Sequence, residues 1–205
     1  MKKILYIVIL ILLINVSFIY QYYGYKKRSK NKIDQMGNIV ENYKIIVDAF
    51  KSHIYNSYEF NGYKLNRNIE LISLDDEEKT ILKNLIKNNK KLIFYIPSKL
   101  CNTCYKRKIE KLKEHRNKIG KQELLILVPL GKIREYKVLL SDYNLKERIY
   151  AYKKEILSNE SFLSPLYFIC EPDFRINDFF IIHKNYDLVG KYIDIVQEKY
   201  FDTNN

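Results

Sequence analysis

Tryptophan is absent from the 205 residues and acidic side chains are few: 24 Asp and Glu stand against 36 Lys and Arg, for a net charge of +12. A surplus of that size raises nucleic acid or an anionic membrane surface as a partner. No RNA-binding signature and no basic recognition helix accompanies it, and Lys, Ile, Asn and Tyr are enriched from end to end. The charge is a compositional bias, and no nucleic-acid partner is expected. Cysteine is scarcer still, at three. Zinc sites usually draw on two pairs, and only Cys101 and Cys104 are paired. Attachment of a c-type haem requires His directly after the second cysteine, where Tyr105 stands. Cys170 and His115 add no ligand spacing, so neither a metal nor a cofactor is expected. No cysteine follows the N-terminal apolar run, which excludes lipoprotein processing, and "VSFIYQYYG" is a poor match to a small-residue cleavage site. Internal repeats and low-complexity tracts are absent as well. What remains has the length of one domain with a sizeable core plus an appendage.

The appendage is N-terminal. From Ile4 to Tyr20 the only clearly polar side chains are Asn15 and Ser17. Extended to Tyr23, a helix of about 20 residues spans roughly 30 Å, the depth of a bilayer core. Tyr20, Tyr22, Tyr23 and Tyr25 cluster where an interfacial aromatic belt would sit. Residues 1–25 are read as an uncleaved transmembrane anchor. Lys26, Lys27, Arg28, Lys30 and Lys32 outnumber Lys2 and Lys3, which by the positive-inside bias puts the domain in the cytoplasm. A short basic N-terminus before a long apolar run is also the form of an export signal.

Residues 26–60 read as a basic juxtamembrane segment and an amphipathic helix. Ile33, Met36, Val40, Tyr43, Val47, Phe50 and Ile54 alternate three and four apart, three heptads of a and d positions. Gly37 weakens that helix by about 1 kcal/mol relative to Ala. Two readings stand: a stalk or homodimer helix over residues 30–56, or a helix lying on the protein's own domain.

From residue 61 to 205 strands and helices alternate. Residues 63–74 read as a strand and 75–89 as a helix with acids in its first turn. "KLIFYIP" and "ELLILVP" are short continuous apolar runs, the pattern of buried strands. Helices are expected over 102–120 and 131–144, and a short strand at "ERIYAY". Then come "SPLYFIC", a turn at "EPDFR", "INDFFII" and a closing helix striped by Val189, Tyr192, Ile193, Val196 and Tyr200. The order fits a mixed α/β sheet flanked by helices.

A C-x-x-C pair beside a βαβ pattern signals thiol redox chemistry. The strand delivers Cys101 to a helix N-terminus, where unsatisfied N–H groups and the macrodipole stabilise a thiolate. Lys99, Lys106 and Arg107 act in the same direction. Asn102 and Thr103 bring Cys104 back within disulfide reach, so Cys101 would attack and Cys104 resolve the mixed disulfide. An inert bridge, or two cysteines that stay reduced, is the competing reading. Cys170 reads as a buried small hydrophobe. His53, His115 and His183 read as surface or packing residues.

On "LIFYIPSKLCNTCYKRKIEKLK", the "SPLYFICEPDFRINDFFI" hairpin and the final helix, the chain from about residue 64 resembles the thioredoxin-like superfamily. Its membrane-anchored TlpA/ResA-like redoxin branch, with Bacteroidetes-type members, is the nearest in pattern. The resemblance implies a thioredoxin-like fold behind the anchor and a thiol–disulfide oxidoreductase acting on protein thiols and disulfides with an upstream redox partner. It further implies a cis proline facing the cysteine pair, for which Ser164-Pro165 is the matching dipeptide, with Pro165 leaving backbone groups free for a substrate strand. It places the domain on the periplasmic face of the inner membrane, which is the side expected here. Leu100 replaces the family's aromatic residue, Asn-Thr replaces Gly-Pro, and "KLIFYIP" carries no buried acid to relay protons to Cys104. The alternative is a redox-inactive thioredoxin-fold interaction module tethered to the membrane.

Overall fold

A strand with no polar face must be covered on both sides, and Lys91–Tyr95 is such a strand. In the computed structural model, which describes residues 2–100, 111–142, 148–157, 164–182 and 188–202, that stretch is β3 and all five residues are buried. The charged end of Lys91 is satisfied by the Gln122 carbonyl at 3.0 Å and the Glu123 carboxylate at 2.8 Å. β4 (Leu124–Pro129) runs parallel to β3, and β5 (Ile149–Tyr152) parallel to β4. On the other flank β6 (Leu166–Cys170) is antiparallel to β3, and β7 (Ile176–Ile181) closes an antiparallel hairpin with it. β1 (Glu70–Ser73) and β2 (Lys79–Ile81) form a hairpin on β5. The seven strands lie in the order β2-β1-β5-β4-β3-β6-β7.

The chain steps from β3 to β4 to β5 in one direction, so right-handed crossovers put both connecting helices on one face. α3 (Leu112–Ile119) and α4 (Ile133–Asp142) lie there with the closing helix α5 (Val189–Val196). Leu112, Tyr136, Leu140 and Ile193 pack on Leu92, Phe94, Ile126 and Tyr167. The opposite face, with Ile93, Tyr95, Leu125 and Phe168, is covered by Phe60, by Leu82 and Ile86 of the short helix α2 (Leu82–Ile86), and by Ile156 and Leu157. α5 carries the expected stripe and widens into a π-helical turn over Gln197–Phe201.

The helix expected over 75–89 is a correction. Its first half is a turn and strand β2, and only Leu82–Ile86 is helical. The Asp76 carboxylate accepts the Glu78 N–H at 3.1 Å, Glu77 takes φ +61°, and the Ser73 N–H reaches the Glu78 carbonyl at 2.9 Å. That local turn offers the backbone partners a helix would otherwise supply, and Thr80 and Ile81 suit the pleat. Lys87, at φ +47°, ends α2.

α1 (Lys2–Phe60) precedes the sheet. Two compact units divide the chain, Met1–Lys51 and Ser52–Asn205. In the first, Ile33, Met36, Val40, Tyr43, Val47 and Phe50 are all exposed. Among the described residues no helix is long and apolar enough to cross a membrane; the side chains of residues 1–11, where the apolar run begins, lie outside that description. The second unit takes in the last two turns of α1. Phe60, 2% exposed, stacks on Phe179 at 5.0 Å. The Ser57 hydroxyl donates to the Phe179 carbonyl at 3.0 Å, and Asn61 Oδ1 accepts the Phe179 N–H at 3.3 Å. Gly62, at φ +85°, then turns the chain so that its N–H meets the Ile176 carbonyl at 2.7 Å.

Candidate functional site

Parallel strands in an open α/β sheet present their carboxyl ends at one edge, and ligands collect there. Here β3, β4 and β5 end at Tyr95, Pro129 and Tyr152. Beyond those ends lies a cavity of about 300 Å³ lined by Ser98, Gly131, Lys132, Tyr152, Lys153 and Glu155, among others. Cys101 and Cys104 lie outside the described residues, as do Lys106 and Arg107. The segment that leads to them is described, and it borders this cavity.

That segment is held by side chains at alternate backbone groups. The Ile96 N–H donates to the Leu127 carbonyl at 3.0 Å, which prolongs the β3–β4 ladder by one residue. The Ile96 carbonyl accepts the Tyr152 hydroxyl at 2.8 Å. Tyr152 has a single hydroxyl hydrogen, so its 3.4 Å approach to Glu155 is a contact rather than a second donation. Burial raises the Tyr152 phenol, with Tyr136 adding to the effect, and keeps it a donor at any physiological pH. The ring stacks on Tyr95 at 5.2 Å, and the Tyr95 hydroxyl donates to Glu155 Oε2. Glu155 Oε1 accepts the Ser98 N–H at 3.0 Å. Finally the Leu100 carbonyl accepts Lys132 Nζ at 2.6 Å. Leu100 is only 2% exposed, so its side chain anchors the segment in the core just ahead of Cys101.

Past the cysteines, α3 is fastened to β6. His115 is buried, with Nδ1 2.8 Å from the Tyr167 hydroxyl, and the two rings meet edge-on at 5.8 Å. Burial raises the Tyr167 phenol well above its ordinary value. His115 is thus a packing residue, and so is His53, whose ring meets Phe180 at 5.4 Å. His183 lies outside the described residues. Cys170 is a free, fully buried thiol on β6. Burial, then Glu171 and Asp173, push it up to about 12, which makes it inert at neutral pH.

Pro165 requires a correction. No described peptide bond is cis, so Ser164–Pro165 is trans. Its carbonyl is also occupied, accepting the Ile182 N–H at 2.9 Å. The cause is register: Leu166 pairs with Tyr95 on one side and Ile181 on the other, and Pro165 opens β6 by extending the β7 ladder. That carbonyl is not open to a substrate strand.

Lys132, Tyr152 and Glu155 were not legible as site residues in the sequence. The available signal was positional, since each stands at or just past the carboxyl end of a parallel strand. Glu155 supplies a carboxylate at the end of β3 where the strand itself has none.

Two parallel βα steps, β3 to β4 to β5, followed by an antiparallel β6–β7 hairpin and a closing helix make the fold thioredoxin-like. No protein-family model and no curated protein matches the chain. Among solved structures it is similar to a thiol:disulfide interchange protein from Bacteroides sp., with 14% identity, TM-score 0.49, and coverage of 67% of this chain and 88% of that one. It is also similar to the thioredoxin domain of a thiol-disulfide oxidoreductase from Bacteroides vulgatus, with 12% identity, TM-score 0.45, and coverage of 65% and 97%. A peroxidoxin from Mycobacterium tuberculosis is similar at 11% identity, TM-score 0.46, and coverage of 68% and 97%. The fold assignment rests on strand order and connection.

Proposed function

We propose that the chain is a membrane-anchored thiol–disulfide oxidoreductase acting through Cys101 and Cys104. The observation that carries the reading is the position of Leu100: a buried residue, its carbonyl fixed by Lys132, five residues past the end of the fully buried strand β3 and one residue before a C-x-x-C. The Cys101 thiolate attacks one sulfur of a substrate disulfide and expels the other as a thiolate. Cys104 then attacks Cys101, releases the second substrate thiol and leaves an intramolecular disulfide. A partner dithiol must return two electrons and two protons to that disulfide before the next turnover.

Residues 1–25 are proposed as the inner-membrane anchor, with the domain in the periplasm. Replacing Cys104 with Ser removes the resolving step and leaves the attack. Mixed disulfides should accumulate on the full-length Cys104→Ser chain in cells, seen as reducible bands on non-reducing gels, and Cys101→Ser should form none. Their absence from Cys104→Ser would leave the second reading, a redox-inactive interaction module, which the trans bond and occupied carbonyl of Pro165 favour.

A further inference from the structure

A helix that lies on its own sheet repeats its apolar side at about 3.6 residues per turn, and a helix wound around another helix repeats it at about 3.5. In α1 the steps from Ile33 to Ile54 run three, four, three, four, three, four, with none missed. That is the shorter repeat, kept over about 33 Å of helix. Every seam side chain is exposed in the single chain, from 46% at Val47 to 67% at Val40. At residues 52–60, where α1 meets the domain, it uses a different face. His53 meets Phe180, Ser57 reaches the Phe179 carbonyl and Phe60 stacks on Phe179, while Ile54 stays more than half exposed. Exposed apolar surface of that extent marks a contact surface.

The residue types state how many strands pair and which way they run. The a positions are Ile33, Val40, Val47 and Ile54, all β-branched, and the d positions Met36, Tyr43 and Phe50 are not. β-branching confined to a favours two parallel strands. Beside the seam stand Ile39 and Ile46 at g and Lys44 and Lys51 at e, all four exposed. Parallel pairing sets each g isoleucine against an e lysine of the other copy, whose methylene stem covers it while the ammonium stays in water. Antiparallel pairing would set lysine against lysine. Glu41 and Asp48 precede those lysines by three residues on the same helix, the spacing of a favourable pair.

We propose that residues 33–54 pair with a second copy of this chain as a parallel, in-register, two-stranded coiled coil. The direction agrees with the anchor proposed above, because two chains that enter one membrane from the same side run the same way. The seam itself depends neither on that anchor nor on the thiols.

The test places single cysteines in full-length protein that carries Cys101→Ser and Cys104→Ser, and oxidises membranes with copper phenanthroline. Cys170 is buried and common to every variant. Met36→Cys and Phe50→Cys, about 21 Å apart along the seam, should each give disulfide-linked dimers, and Asn38→Cys on the outer face should give none. Separately tagged Met36→Cys and Phe50→Cys chains, expressed together, should form no link between the two tags. The parent chain in detergent should sediment with the mass of two copies. Melts by circular dichroism check that each variant is folded, and Ile33→Cys and Val47→Cys replace any that is not. Links as frequent at Asn38→Cys as at the seam, or none at the seam, overturn the dimer. A link between the tags overturns the parallel direction, and a mass of three or four copies overturns the two-stranded form. Release of the parent chain from membranes by alkaline carbonate would remove the anchor, and the seam would still be decided by the cross-links.

Discussion

Cys170 and Cys101 belong to one chain and should behave as different reagents. Cys170 is held neutral by burial on β6, between Lys91 and Ile176 in the ladder. Its folded value, about 12, lies above the ordinary 9.0. The sign follows from proton binding: below about 9 both states hold the proton and the contribution to stability is whole. As pH rises toward 12 the unfolded chain releases it first, and that contribution is lost. Cys170→Ala should therefore show a smaller fall in melting temperature between pH 8 and 10 than the parent chain, measured by circular dichroism. An equal fall would place the alkaline sensitivity elsewhere, with the phenols of buried Tyr167 and half-buried Tyr192 as the next candidates. At this scale the sequence was partly legible. A lone cysteine in an apolar run is read correctly from its neighbours, whereas Lys132 and Glu155 look like any other surface charges until the sheet brings three strand ends together. The cis bond expected at Pro165 is absent and its carbonyl is taken by the Ile182 N–H, a pairing that the dipeptide alone does not reveal.

Among the elements, β3, β4 and β6 were legible because a continuous apolar run bounded by turns has few other uses. Residues 75–89 were not, because acids ahead of an apolar pattern also describe a helix start. The discriminating interaction is the backbone pairing of β2 with β1 across the tight turn at Asp76–Glu78, whose acids serve a turn as readily as a helix start. α1 is the opposite case, a long periodic helix whose period was plain and whose partner was not. With its stripe exposed in the single chain, the proposed homodimer seam is open to test. Replacing Val40 and Val47 with Glu in the full-length protein should abolish dimers by analytical ultracentrifugation while the domain's melt is unchanged. A lost or lowered melt would assign those residues to the domain's own packing instead.

For the whole molecule the unresolved choice at sequence level was sidedness, since the charge count and the family resemblance point to opposite compartments. The periplasmic proposal has a direct measurement. An impermeant maleimide should label the reduced Cys101 in cells with a permeabilised outer membrane and an intact inner membrane. Labelling that requires lysis of the inner membrane would put the domain in the cytoplasm, where glutathione and thioredoxin would hold the pair reduced.

The end of α1 does something for the sheet that its length obscures. β7 is an outer strand, and an outer strand with open amides recruits other strands. Here Ser57 and Asn61 occupy both amide groups of Phe179, Phe60 covers its ring, and Gly62 and Tyr63 take up Ile176. The helix that leads toward the proposed anchor therefore also serves as a seam guard. A chain begun at residue 61 would lose the Phe60 stack, a deletion of the kind that costs about 3–5 kcal/mol, and would expose a sticky margin. Its solubility would fall before any loss of the proposed thiol chemistry, so a well-behaved version of this domain keeps α1 from at least Ser57 onward.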